Sequence, residues 1–196
     1  MKIEYEATFT NIDKNDIRLR LKAAGALLTK PEVLMRRKSF TPPDEKDIEY
    51  SWTRVRDEGD KITMSFKSIK GDKIEDQKEE MVVIDDFQAG VDFLLALGCR
   101  EKAYQESKRE IWHLDGTEVC IDEWPFLEPY VEIEGESEAA VKAVAEKLGF
   151  DYSSAKFCSA AVLYAEKYGI LAADVSNKTP LITFAENPFK KIISDK

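Results

Sequence analysis

Residues 2–10 alternate without a break: Ile3, Tyr5, Ala7 and Phe9 fall on one face, Glu4, Glu6 and Thr8 on the other. A period of two over this length predicts a β-strand with one apolar face. Helical spacing follows. Asp13 or Asn15 can cap a helix whose apolar positions Ile17, Leu21 and Ala24 recur at i, i+4 and i+7, and Gly25 supplies a left-handed stop. Residues 26–40 read as extended, ended by Pro42-Pro43, with a polar loop over 43–49. Strands at 50–57 and 61–68 are joined at Glu58-Gly59-Asp60 as a hairpin. A strand at 77–84 leads into a helix from Asp86, with Phe87, Val91, Leu94 and Leu95 on one stripe and Gly98 as its stop. A second hairpin, 103–114 and 117–124, turns at Asp115-Gly116, and a strand at 130–134 comes after Pro125 and Pro129. The helix from Ser137 carries Val141, Val144, Ala145 and Leu148 inward and ends at Gly149, and 157–168 predicts one more. From about 169 no period persists, and NKTP and ENPF punctuate what reads as a tail.

The order strand, helix closed by glycine, long strand, hairpin occurs twice. Gly25 and Gly98 are 73 residues apart, as are Arg36 and Arg109, whereas the hairpin glycines Gly59 and Gly116 are 57 apart. An insertion in the first half at 41–49 explains the shorter spacing. The pattern suggests two similar β-rich halves closing on each other as a barrel.

Composition adds mainly exclusions. With 196 residues, 43% hydrophobic, the chain suits one sizeable domain with a core. No apolar run is long enough for a membrane span, and the start MKIEYEATF is too charged for a signal peptide, so the expected location is the cytoplasm. Cys99, Cys120 and Cys158 form no CxxC pair and read as small buried hydrophobes. A net charge of −9 argues against a nucleic-acid or membrane partner. Nucleotide-binding glycine motifs and a Ser/His/Asp set are absent. His113, the only histidine, lies near a turn and reads as structural, and Trp52, Trp112 and Trp124 read as packing residues more than as stacking platforms.

The polar faces of the strands change the picture, because they are charged. Glu4 and Glu6 lie on the first strand; Arg54 and Arg56 on the next, with Lys61 and Lys67 on its hairpin mate. Lys78, Glu79 and Glu80 open the strand at 77–84; Lys108 and Arg109 face Asp122 and Glu123, and Glu132 and Glu134 occupy the last strand. Solvated faces would explain any one strand. Like charges gathered on single strands repel, however, and make sense when a ligand lies between acids and bases. Clustered carboxylates suit Mg²⁺ or Mn²⁺, and paired arginines suit phosphate oxygens.

In this arrangement the chain resembles the CYTH superfamily, the triphosphate tunnel metalloenzymes, over roughly residues 1–168. The resemblance is carried by Glu4-Tyr5-Glu6-Ala7-Thr8, with threonine where the family signature has lysine, by Arg54 and Arg56 in TRVRDEG, and by Lys67 in ITMSFK. An acidic residue after the central loop is Glu79 or Glu80, with Glu80 preferred. SKREIW supplies Lys108 and Arg109, EVCIDEW supplies Asp122, YVEIEG supplies Glu132 and Glu134, and SSAKF supplies the late lysine, Lys156.

The resemblance implies an α+β protein built on a closed eight-stranded antiparallel β-barrel with flanking helices, charged inside and apolar outside. It implies one tunnel domain over 1–168 and a C-terminal extension over 169–196. Glu4, Glu6, Glu80, Asp122, Glu132 and Glu134 would bind Mg²⁺ or Mn²⁺. Arg54, Arg56, Lys67, Lys108, Arg109 and Lys156 would bind the phosphate chain, with Glu4, Glu6, Arg56, Asp122 and Glu134 at the chemistry. The expected function is metal-dependent hydrolysis of the terminal phosphate of tripolyphosphate, thiamine triphosphate or a nucleoside triphosphate. The alternatives are a class IV adenylyl cyclase and, because of Thr8, a non-catalytic polyphosphate or nucleotide binder. The partner is a small-molecule triphosphate, with a homodimer allowed.

Overall fold

A computed structural model describes residues 1–43 and 51–190. The N-terminal alternation forms β1 (Lys2–Ile3) and β2 (Tyr5–Phe9), two parts of one strand broken at Glu4. After them come α1 (Lys14–Ala23), β3 (Leu27–Thr41), β4 (Ser51–Asp57), β5 (Ile62–Ile69) and β6 (Gln77–Ile84). The second half runs α2 (Phe87–Ala96), β7 (Arg100–Leu114), β8 (Thr117–Glu123), β9 (Tyr130–Gly135) and α3 (Glu138–Lys147). Each half is thus strand, helix, long strand and two further strands, the repeat that the spacings suggest. Most of the polar loop expected at 43–49 lies outside the described residues.

The ring order is β1, β6, β5, β4, β3, β7, β8, β9, β2, so nine strands occupy eight positions of a nearly closed antiparallel barrel. Closure is made by the broken strand. β1 pairs with β6 (Lys2 with Glu79), and β2 pairs with β9 (Glu6 with Glu134). Gln77 fixes the break: its backbone oxygen accepts from the Glu4 N–H at 3.0 Å, and its side-chain amide donates to the Glu6 carbonyl at 2.7 Å.

On β2, β8 and β9, and on parts of β3 and β4, an apolar face points outward, where helices cover it. Ala7, Phe9, Val119, Ile121, Val131 and Ile133 pack under Ile17 and Leu21 of α1, Val141 and Val144 of α3, and Leu148 at the end of α3. The same packing places α2 on the far side, through Val91 and Leu94 against Phe40 and Val55. Helix starts follow side-chain chemistry: Asp13, Asp86 and Ser137 each accept from backbone N–H groups of the first turn. The stops at Gly25 and Gly98 have φ of +83° and +86°, a region in which a side chain is strained.

The C-terminal region differs from the tail expected of it. After α4 (Ala160–Tyr168), residues 172–178 form α5 (Ala172–Lys178), and β10 (Leu181–Ile182) pairs parallel with Tyr104 and Gln105 of β7. Tyr164, Val175, Ile182 and Phe189 are buried together with Trp124 and Tyr130. The aromatic contacts hold this cap. Short elements of two and seven residues leave too little sequence for a period to show.

Candidate active site

Turning the apolar faces outward leaves charged faces inside, around a cavity of 1420 Å³. On one wall, Glu4 and Glu6 meet Glu134, and ligand oxygens of all three lie within 4.8 Å of one another. Burial and the neighbouring Glu6 push the Glu4 carboxyl up to about 9, even with Lys67 beside it. Glu134 rises to about 7 from burial and Glu6, and burial with Glu132 raises Glu6 as well. Three hard oxygen donors carrying more negative charge than the protein offsets fit a divalent cation such as Mg²⁺ or Mn²⁺. Lys67 is their internal countercharge, with Nζ 2.7 Å from Glu4 Oε2 and 3.2 Å from Glu6 Oε1.

The remaining walls carry guanidinium groups held in place by acids. Arg54 donates to Ser65 Oγ and Glu79 Oε1, both at 3.1 Å, while Arg56 lies 2.6 Å from Glu58. Burial alone would raise Glu79 and Glu58, but Arg54 and Arg56 respectively hold each at about 2. Arg109 binds both oxygens of Asp122 and reaches Glu132. Asp122 is 1% exposed and fully engaged by Arg109, so it stands behind the arginine and outside the three-carboxylate cluster.

Two expected site residues face away. Lys108 adjoins the inward Arg109 on a pleated strand, so it points outward, to Glu123 at 3.1 Å and over the Phe184 ring. Glu80 pairs with the N-terminal ammonium at 3.1 Å on the surface. Glu79 is the inward residue, because it sits directly opposite Lys67 and cross-strand partners share a face. Lys156 forms a backbone bridge with Thr8 and ion-pairs with Glu166, at the rim.

Sequence reasoning passed over Gln77, Glu58 and Arg37. Arg37 lies inside, 4.4 Å over the Trp124 ring, and donates to Ser107. Of the tryptophans, Trp52 and Trp124 line the cavity and Trp112 is core. His113 is exposed beside Glu118, consistent with the structural reading. Cys99 and Cys120 are buried as expected, and Cys158 is half-buried on the cavity wall.

Thr8 faces Glu132 across the ladder and is 2% exposed. A lysine there starts on the carboxylate side of the strand, so Thr8→Lys is expected to fold and to bind tripolyphosphate severalfold more tightly. A lower melting temperature with unchanged binding would show that the ammonium fails to reach the cavity.

The raised carboxyls also set a pH dependence for the metal-free protein. A folded-state value above the usual 4.5 contributes stability that is complete at low pH and lost as pH rises through the folded value, here about 7 for Glu134 and about 9 for Glu4. Glu58 and Glu79, held at about 2, contribute stability that is constant over this range. The melting temperature without metal is therefore expected to fall between about pH 5.5 and pH 8.5, with Mn²⁺ restoring more at the higher pH. Scanning calorimetry with and without Mn²⁺ checks this, and equal metal effects at both pH values would contradict it.

A nearly closed antiparallel barrel whose inner face carries a three-carboxylate cluster and acid-paired arginines is a charged barrel. The CYTH domain family model matches residues 2–160, and the chain belongs to that family. Among solved structures, the barrel is similar to a conserved hypothetical protein of Pyrococcus furiosus, at 22% identity and TM-score 0.64 over 78% of this chain and 94% of that one. It is similar to a candidate adenylate cyclase of Vibrio parahaemolyticus, at 10% identity and TM-score 0.71 over 84% and 98%. A third is a candidate adenylyl cyclase from Hippeastrum with a dominant triphosphatase activity, at 16% identity and TM-score 0.54 over 87% and 97%. At these identities the likeness is one of fold. No curated protein matches. Among the described residues no helix is long and apolar enough to cross a membrane.

Proposed function

We propose that the chain is a metal-dependent hydrolase of a triphosphate. The observation that carries this reading is the meeting of Glu4, Glu6 and Glu134 with Arg54, Arg56, Lys67 and Arg109 in one cavity. Carboxylates alone would describe a cation cage, and arginines alone an anion groove; a polyphosphate with its cation needs both.

Glu4, Glu6 and Glu134 would hold the Mg²⁺ or Mn²⁺, which when bound supplies Lewis-acid polarisation of phosphoryl oxygens. Arg54 and Arg56 bind and orient the chain, their forks already fixed by Glu79 and Glu58, so little ordering remains when the ligand enters. Attack of water in line on the terminal phosphorus breaks the bridging P–O bond and leaves negative charge on the departing diphosphate. On this reading Lys67 and Arg109, which line the same cavity, would neutralise that charge as it grows.

The test is one incubation series with Mg²⁺ or Mn²⁺, offering tripolyphosphate, thiamine triphosphate and ATP, and measuring phosphate, pyrophosphate and cyclic AMP. Metal-dependent phosphate release is expected. Cyclic AMP and pyrophosphate from ATP would move the reading to an adenylyl cyclase, and tight metal-dependent binding without turnover would make the barrel a sensor.

A further inference from the structure

The charge on the β3–β7 wall extends past the groups already assigned. Arg37 lies opposite Gln105 and Ser39 opposite Ala103, but Phe40 lies opposite Glu101, so β7 carries one extra residue, Lys102. Such a bulge reverses the alternation of faces. Ser107 and Arg109 are inward by odd numbering, and so is Ala103, whose ladder partner Ser39 lines the cavity; at the bulge the even-numbered Lys102 lines it as well. A regular strand would have turned Lys102 outward.

Neither Arg37 nor Lys102 has a carboxylate partner among the described residues. Arg37 is 5% exposed; it has Ser107 and the Trp124 ring, and its Nε has no hydrogen-bond partner. Among the described residues no acid offsets the partial burial of Lys102, and desolvation presses its ammonium below the ordinary value. Elsewhere in the cavity Arg54, Arg56, Lys67 and Arg109 each have an acid. Holding a buried guanidinium and a half-buried ammonium with no acid among the described residues to pair them is costly unless an anion joins them. From Arg109 to Lys102 the strand covers about 20 Å at its usual rise, a length of which three phosphoryl groups occupy only part.

We propose that Arg37 and Lys102 form a further anion subsite, beyond the triphosphate-binding wall, that takes an additional phosphoryl group. The inference rests on the triphosphate reading. The extra group is the fourth of a linear polyphosphate, or one carried on the organic part of an organic triphosphate.

Calorimetric titration in Mg²⁺ compares tripolyphosphate with tetrapolyphosphate, using the Glu134→Gln protein to slow turnover. Tetrapolyphosphate is expected to bind about tenfold more tightly, and adding Lys102→Met should bring the two constants to within about twofold. Methionine keeps the apolar stem, so folding is not at stake, and a melting curve verifies it. Adenosine 3′-phosphate 5′-triphosphate against ATP is the second arm, and a gain confined to one arm identifies the source of the group. Equal affinities within both pairs, or a gain that survives Lys102→Met, overturn the subsite alone. Failure of tripolyphosphate to bind either the Glu134→Gln protein or the one with Glu134 unaltered overturns the triphosphate reading with it.

Discussion

Glu134→Gln is expected to lower metal-dependent turnover by about 100-fold or more, while the metal-free protein melts at the same temperature or higher. The two effects have one cause. Glu134 lies with Glu4 and Glu6 in a cluster whose carboxyls are raised by burial and by one another. Replacing one oxygen with an amide removes a ligand from the proposed cation, and several kcal/mol of transition-state stabilisation correspond to at least that fall in rate. The same change relieves like-charge repulsion in the empty cluster, so the fold loses nothing. Glu4→Gln should behave alike. Rates with tripolyphosphate in Mn²⁺, together with melting curves in chelator, check both halves. Full activity in both variants would remove the cluster from the chemistry.

Arg109→Leu should have the opposite profile, with a large loss of stability as well as of activity. Arg109 is the shared partner of Asp122 and Glu132, and its truncation leaves two carboxylates facing each other in the barrel. Breaking a buried pair from one side costs about 3–5 kcal/mol, because the remaining charge stays uncompensated. Asp122→Asn on top of Arg109→Leu removes one of the stranded charges, so the double variant should regain part of the stability but none of the activity. Urea unfolding of both proteins gives the comparison. A loss under about 1 kcal/mol for Arg109→Leu would mean that these carboxylates are solvated or protonated, as surface pairs would be.

The alternating strands and capped helices were legible because each is long and has one apolar face. The order of charged strands made the family resemblance legible too, although it inverts the usual placement of charge. Errors arose where one residue of register decides the face. Lys108 and Glu80 both adjoin the inward residue, Arg109 and Glu79, and only the ladder shows which of two neighbouring charges turns in. The repeat spacing of 73 points to Arg36, yet Arg36 is exposed and Arg37 lies inside, because β3 and β7 are offset by bulges. Bulges leave no mark in a hydrophobic pattern. Gln77 was missed for another reason: it works through backbone contacts to Glu4 and Glu6, which no side-chain motif encodes.

The broken first strand also dictates when the site can exist. Glu4 and Glu6 are made well before β9, yet β2 takes its ladder from β9, whose Glu134 pairs with Glu6 from 128 positions further along the chain. Contacts so distant in sequence must bear the entropy of closing a long loop before they return any stability. A growing chain therefore has no assembled carboxylate cluster until β9 has left the ribosome, and the early strands wait with their acids apart. Refolding should show the same order, with the β4–β5 hairpin protecting its amides early and the residue 5–9 amides last. Pulsed hydrogen exchange would record that lag, and Mn²⁺, having no joined site to hold during it, should slow unfolding while leaving the refolding rate unchanged.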